Sequence, residues 1–232
     1  MKKFLSFFLI LTLLLSFAAC SNNEDAPHED NNNVVLNDTN KETENNNIFD
    51  GGKITIEKVR NAPQTNANDF AIEIVDNGVL LNKYNGNDEI VVIPDKINGI
   101  PVTEITEACF ANNKELKGVK ISDTVEYIYP GVFGNCDNLE IFISGKNVKS
   151  IGEHAFLNCR SLNSVELNNG LKLLEMSCFM GTDSLIEIFI PSSTTSLNRP
   201  FLASSTNVTI VCEAGSAAEA YAMDSGINYE IK

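Results

Sequence analysis

Positive charge, histidine and long apolar runs are all scarce in this sequence, and each scarcity removes a class of function. Seventeen Lys and Arg stand against 31 Asp and Glu, a net charge of −14 over 232 residues. A surface so acidic repels a phosphate backbone, which argues against nucleic acid as a partner. There are two histidines, His28 in a polar stretch and His154 further on, so a Ser/His/Asp or Cys/His constellation in a folded body would have to use His154. No P-loop, dinucleotide fingerprint or spaced set of metal ligands occurs, and Gly51-Gly52 reads as a linker joint. No catalytic residue, metal or cofactor is therefore assigned, and no enzyme activity is expected.

The apolar run Phe4–Leu15 is short of the roughly 20 residues that a membrane-spanning helix needs. Lys2 and Lys3 precede it and Ser16-Phe17-Ala18-Ala19-Cys20 comes after it, the layout of an export signal over residues 1–19. Phe17-Ala18-Ala19-Cys20 resembles a bacterial lipobox, with Phe17 where Leu is usual. The resemblance implies cleavage before Cys20 that leaves this cysteine diacylated; the other reading is an ordinary secretory peptide cut after Ala19, which leaves Cys20 free. Two acyl chains hold a protein stably at a membrane, where one holds it marginally. The expected location is therefore the exposed surface of a bacterial cell, with a membrane contact through the lipid.

Residues 20–52 read as a disordered tether. Ser21 to Asp50 hold ten Asn and eight acidic residues with almost no aromatics, too little apolar surface to offset chain entropy. Residues 53–69 are an uncertain linker or short strand, Ile54-Thr55-Ile56 being strand-like and Asn61 to Asn68 loop-like. Phe70, Ile72 and Ile74 then alternate before Asp76-Asn77-Gly78 and Val79-Leu80-Leu81, the signature of a β-hairpin that would cap the first of a series of repeats.

From Val102 onward the sequence is periodic. Phe110, Phe133, Phe156 and Phe179 lie 23 residues apart, and so do Leu116, Leu139, Leu162 and Leu185. Val102, Val125, Val148 and Leu171 keep the same spacing, as do Ile105, Ile128, Ile151 and Leu174. Four in-phase apolar columns mean stacked coils sharing one core that no single coil could form. A short strand comes after each Leu, with inward pairs read as Val119/Ile121, Ile141/Ile143, Val165/Leu167 and Ile188/Ile190; the second pair sits one residue early, which suggests a bulge. Near the end, Ser216 with Glu219 reads as a capping box for a helix whose apolar face is Ala217, Ala220 and Tyr221, with Gly226 at its C-cap and a strand over Ile227 to Ile231.

Phase also bears on the cysteines. Cys136 and Cys159 share one repeat position, so they stack about 5 Å apart with parallel side chains, poor geometry for a disulfide. Cys109 and Cys178 share another but lie three coils apart. Buried reduced thiols are favoured over a Cys136–Cys159 disulfide or a metal site.

The pattern Ala-Phe-x-Asn-Cys-x-x-Leu before a strand, the unit Ile93 to Ile105, and Gly215 to Ala222 resemble the BspA-type leucine-rich repeat of bacterial surface proteins. The resemblance spans about residues 70–232. It implies a mostly β leucine-rich-repeat solenoid with short helical segments, of about four to five 23-residue coils, between an N-terminal hairpin cap and a C-terminal helix-strand cap. It also implies surface display and an extracellular protein or carbohydrate ligand, as in adhesion; the alternative is a structural or scaffolding envelope lipoprotein. A ligand would meet the outward strand positions, Lys120, Glu140, Phe142, Ser164, Glu166, Glu187 and Phe189, unless the shifted register at Leu139 turns Phe142 inward.

Overall fold

Each 23-residue period closes into one coil that carries two short strands, and successive coils stack strand on strand. The computed structural model describes residues 54–232 apart from Thr206. The export signal, Cys20 and the tether through residue 52 lie outside the described residues. The chain runs through α1 (Ile56–Asn61), β1 (Phe70–Val75), β2 (Gly78–Tyr84), β3 (Ile90–Val92), β4 (Lys96–Ile97) and β5 (Ile100–Ile105). The coils then supply β6 (Gly118–Lys120), β7 (Tyr127–Ile128), β8 (Ile141–Ile143), β9 (Ser150–Ile151), β10 (Ser164–Glu166), β11 (Leu173–Leu174), β12 (Glu187–Phe189) and β13 (Ser196–Leu197). β14 (Thr209–Cys212), α2 (Ala217–Ser225) and β15 (Tyr229–Ile231) complete it.

The strands form three sheets. An eight-stranded sheet has the order β1-β2-β5-β7-β9-β11-β13, with β4 paired to β5. The other flank carries a four-stranded sheet, β10-β8-β6-β3, and a three-stranded sheet, β12-β14-β15. The hairpin β1-β2 forms, and β2 joins the first coil in parallel, Val79 opposite Val102 and Leu81 opposite Ile105. Val79 lies 23 residues before Val102, so the hairpin continues that column.

All four apolar columns are buried. At the centre Phe110, Phe133, Phe156 and Phe179 stack with ring centroids 5.2, 5.2 and 5.0 Å apart. Such separations lie in the favourable range for aromatic pairs. Tyr84 closes one end at 5.1 Å from Phe110, and Phe201 meets Tyr221 of α2 at 4.6 Å at the other. The Val column ends in Thr194, whose hydroxyl donates to the Leu171 carbonyl at 3.3 Å, and the Leu column ends in Val208.

The turn around each Phe needs left-handed backbone at two places. Ala108, Gly131, His154 and Ser177 have φ of 55, 62, 57 and 56°, and Asn112, Asn135, Asn158, Gly181 and Ser204 have φ of 64, 59, 56, 72 and 65°. Asparagine tolerates this region because its short amide bonds locally. Here the amides also bond one another, Asn158 to Asn135 at 3.0 Å and Asn135 to Asn112 at 3.3 Å.

The five cysteines of the described residues are free and buried. Cys136 and Cys159 donate to the Phe110 and Phe133 carbonyls, each at 3.1 Å. One coil further, Thr182 and then Ser205 hold the same column and both donate to the Phe179 carbonyl. The column therefore asks for a small donor, which thiol and hydroxyl both provide. Burial pushes the Cys109 and Cys136 thiols up to about 12, so neither is a thiolate near neutral pH.

Three expectations change. Residues 53–69, read as linker or short strand, hold α1, capped by the Thr55 hydroxyl accepting from the Lys58 N–H at 3.2 Å, and a short 3₁₀ turn at Ala67–Asp69. The bulge at Leu139 is absent: Val119, Phe142 and Val165 pair in register, so Phe142 points inward and Ile141 and Ile143 outward. In α2 the buried face is Ala218, Tyr221 and Ala222 rather than Ala217, Ala220 and Tyr221, while Ser216 and Gly226 cap it as expected.

Candidate ligand-binding faces

The strand side chains that point away from the core make two flanks of differing chemistry. On the four-stranded sheet, Gly118, Ile141 and Ser164 form one outward row, and Lys120, Ile143 and Glu166 the next. Ile141 and Ile143 are nevertheless buried, because α1 lies over them and completes a small second core with Ile54 and Val59. Gly118 permits this approach: a Cβ there would sit 2.5 Å from a Val59 methyl. The Lys120 ammonium donates to the Arg60 carbonyl at 2.9 Å, and the Arg60 guanidinium pairs with Glu166 at 2.6 Å. That pairing raises the Arg60 pKa. Thr65 seals the sheet edge, its N–H donating to the Val92 carbonyl at 2.9 Å and its hydroxyl accepting from the Val92 N–H at 3.0 Å.

The outward residues expected to meet a ligand are thus divided. Lys120 and Glu166 come together, but they hold the protein's own helix. Glu140 precedes β8 and is half-buried, its carbonyl accepting from the N–H groups of Asn163 and Ser164. Phe142 is 0% exposed and packs edge-on between Phe133 and Phe156, at 6.0 and 4.7 Å, so it belongs to the core. Glu187 and Phe189 lie on the separate three-stranded sheet, Glu187 exposed and Phe189 half-buried under the Lys232 ammonium at 5.3 Å. The expected surface pair of phenylalanines does not exist.

The eight-stranded sheet has a different outer face. Glu104, Tyr127 and Ser150 lie in register across β5, β7 and β9. Tyr127 and Tyr129 are each 39% exposed. They flank a cavity of about 390 Å³ whose wall includes Ser150, Gly152, Glu153 and Glu175. Gly152 keeps its floor open and its backbone close, since a Cβ there would lie 2.6 Å from the Tyr129 carbonyl carbon and the Pro130 nitrogen. Lys149 pairs with Glu126 at the margin and holds its ammonium 5.7 Å from the Tyr127 ring centre. A hydrogen bond to Glu104, then partial burial, raises the Tyr129 phenol. Glu175 accepts from the Asn198 amide at 2.5 Å, and Glu153 stands 3.4 Å from the His154 ring. His154 therefore sits beside an acid at a turn position chosen by backbone geometry. The sequence signal for this face was Tyr127-x-Tyr129 bracketing the inward Ile128, which period-two alternation turns outward.

Parallel ladders on two flanks, a phenylalanine stack between them and a fixed 23-residue period define a leucine-rich-repeat solenoid. The model of the BspA type leucine rich repeat region matches six times over residues 86–211, more than half of the chain, and the chain belongs to that family. The solved leucine-rich-repeat protein of T. pallidum is similar at 23% identity and a TM-score of 0.63, over 64% of this chain and 71% of that one. A leucine-rich-repeat protein of Bacteroides ovatus is similar at 25% identity and a TM-score of 0.54, over 65% of this chain and 43% of that one. No curated protein matches the chain. No described helix is long and apolar enough to cross a membrane. Family and fold support a non-catalytic role in recognition or binding.

Proposed function

We propose that this protein is an exported, lipid-anchored module on a bacterial surface that recognises an extracellular protein or carbohydrate through the outer face of its eight-stranded sheet. One observation carries the choice of face. On the opposite flank α1 covers the outward isoleucines and engages Lys120 and Glu166, whereas Tyr127 and Tyr129 stand exposed beside a cavity. Exposed aromatics around a concave site are what recognition surfaces use, because they bring large contact area at low entropic cost. Cys20, acylated, would hold the chain at the membrane, and the tether would supply reach.

The test displays the full chain on cells and measures their retention by host-cell, matrix or bacterial surfaces. Tyr127→Ser with Tyr129→Ser should abolish retention at unchanged display level and melting temperature, and Cys20→Ser should release the chain from the membrane fraction. Retention that persists in the tyrosine variant would remove this face as the recognition surface, and retention by no surface would leave the structural envelope role standing instead.

A further inference from the structure

The cavity between the tyrosines has a sign. Two of its wall residues, Glu153 and Glu175, are carboxylates, and a third carboxylate, Glu104, lies beside Tyr127 in the register. Lys149 pairs with Glu126 at the margin, its ammonium 5.7 Å from the Tyr127 ring centre. Asn198 donates to one oxygen of Glu175 and leaves the other available. Tyrosine faces carry the negative end of the ring quadrupole, so they add to this field rather than oppose it. The chain as a whole carries −14.

These features discriminate among ligands. An anion is repelled. A neutral sugar could lie on the rings and donate its hydroxyls to the carboxylates, but it carries no countercharge and so gains less from this field than a cation does. An ammonium or guanidinium group on an aliphatic stem meets both requirements: the stem covers the rings and the head satisfies the acids. The volume, about 390 Å³, lies in the range of sites that take a small group rather than a folded surface, roughly 300–1,000 Å³. Tyr127 and Glu175 stand on coils two apart, so the site is about 10 Å across, within reach of neighbouring side chains on one extended segment.

We propose that the Tyr127–Tyr129 cavity binds the cationic side chains of an extended, basic polypeptide segment. The proposal rests on the reading of this face as the recognition surface and adds the class of partner.

The probe is an unstructured lysine-rich peptide, titrated against the full chain by calorimetry, beside the same peptide with its amines acetylated and a neutral oligosaccharide. The lysine peptide should bind and the other two should not. Glu153→Gln with Glu175→Gln is nearly isosteric and should weaken binding about tenfold. Glu213→Gln with Glu230→Gln removes the same charge at exposed positions near the opposite flank and should change affinity less than about twofold, distinguishing the site from a general attraction to an acidic protein. Equal losses in the two pairs, or binding of the acetylated peptide, overturn the proposal. Binding of the oligosaccharide with none of the peptide also overturns it, yet leaves the face in place if the tyrosine variant still loses surface retention. Loss of the face itself is the separate result, retention unaffected by Tyr127→Ser and Tyr129→Ser.

Discussion

At the scale of single residues, the period dictates more than hydrophobicity. Reading every twenty-third residue identifies the buried Phe, Leu, Val and Ile columns, because the interior of a coil stack repeats the same environment. The same rule locates Phe142, which lies 23 residues from both Val119 and Val165. Taking Ile141 and Ile143 as inward instead follows local hydrophobicity over phase, and it puts both isoleucines and Phe142 on the wrong sides. Backbone handedness was not legible, since Ala108, His154 and Ser177 share no side-chain chemistry. What they share is φ near 56°, a region that costs an L-residue roughly 1–2 kcal/mol and a glycine almost nothing. Gly131 already occupies the column. Ala108→Gly, at an exposed site, should therefore raise stability by about 1 kcal/mol despite the added freedom of the unfolded chain. Urea denaturation measures this, and a loss of stability would show that the methyl group or the unfolded chain governs the position.

At the scale of elements, the least legible piece is α1. Six residues, Ile56–Asn61, entered through Ile54-Thr55, have no helical period long enough to see, and the helix exists because the sheet beneath it offers Ile141 and Ile143. Thr55 as N-cap and Pro63 just past the C-cap Ala62 mark its ends, but such signals carry weight only when an apolar face is already in view. The contact leaves one readable trace, a glycine inside a strand: Gly118 marks a close approach of something to the sheet. Gly118→Ala should cost roughly 1–3 kcal/mol, since the new Cβ would press on the Val59 methyl at 2.5 Å. Val59→Ala removes that methyl and should recover part of the loss, a coupling of at least about 0.5 kcal/mol in a double-mutant cycle. Additive effects would mean that the helix rides on the sheet without gripping it. A fragment starting at Phe70, natural from sequence alone, would strip the helix and expose both isoleucines.

At the scale of the whole molecule, the coils are not equally joined. The eight-stranded sheet crosses the coil interfaces from β2 to β13, and the phenylalanine stack runs unbroken from Phe110 to Phe179. On the opposite flank the four-stranded sheet ends at β10 and the three-stranded sheet begins at β12, and among the described residues no ladder joins them. Val165 on β10 is half-buried where its register partner Phe142 is fully enclosed. Backbone groups along this seam lose the partners that their counterparts in β6 and β8 keep, so they should open at lower free energy. Hydrogen exchange should find the amides of Leu167 and Glu187 less protected than those of Ile121 and Ile141, with protection on β9 and β11 uniformly high. The contrast places the tyrosine face on the side whose ladder is continuous from coil to coil, which is where a preorganised site belongs. Equal protection on both sides of the seam would remove that difference and, with it, the mechanical reason for one flank to serve as the platform.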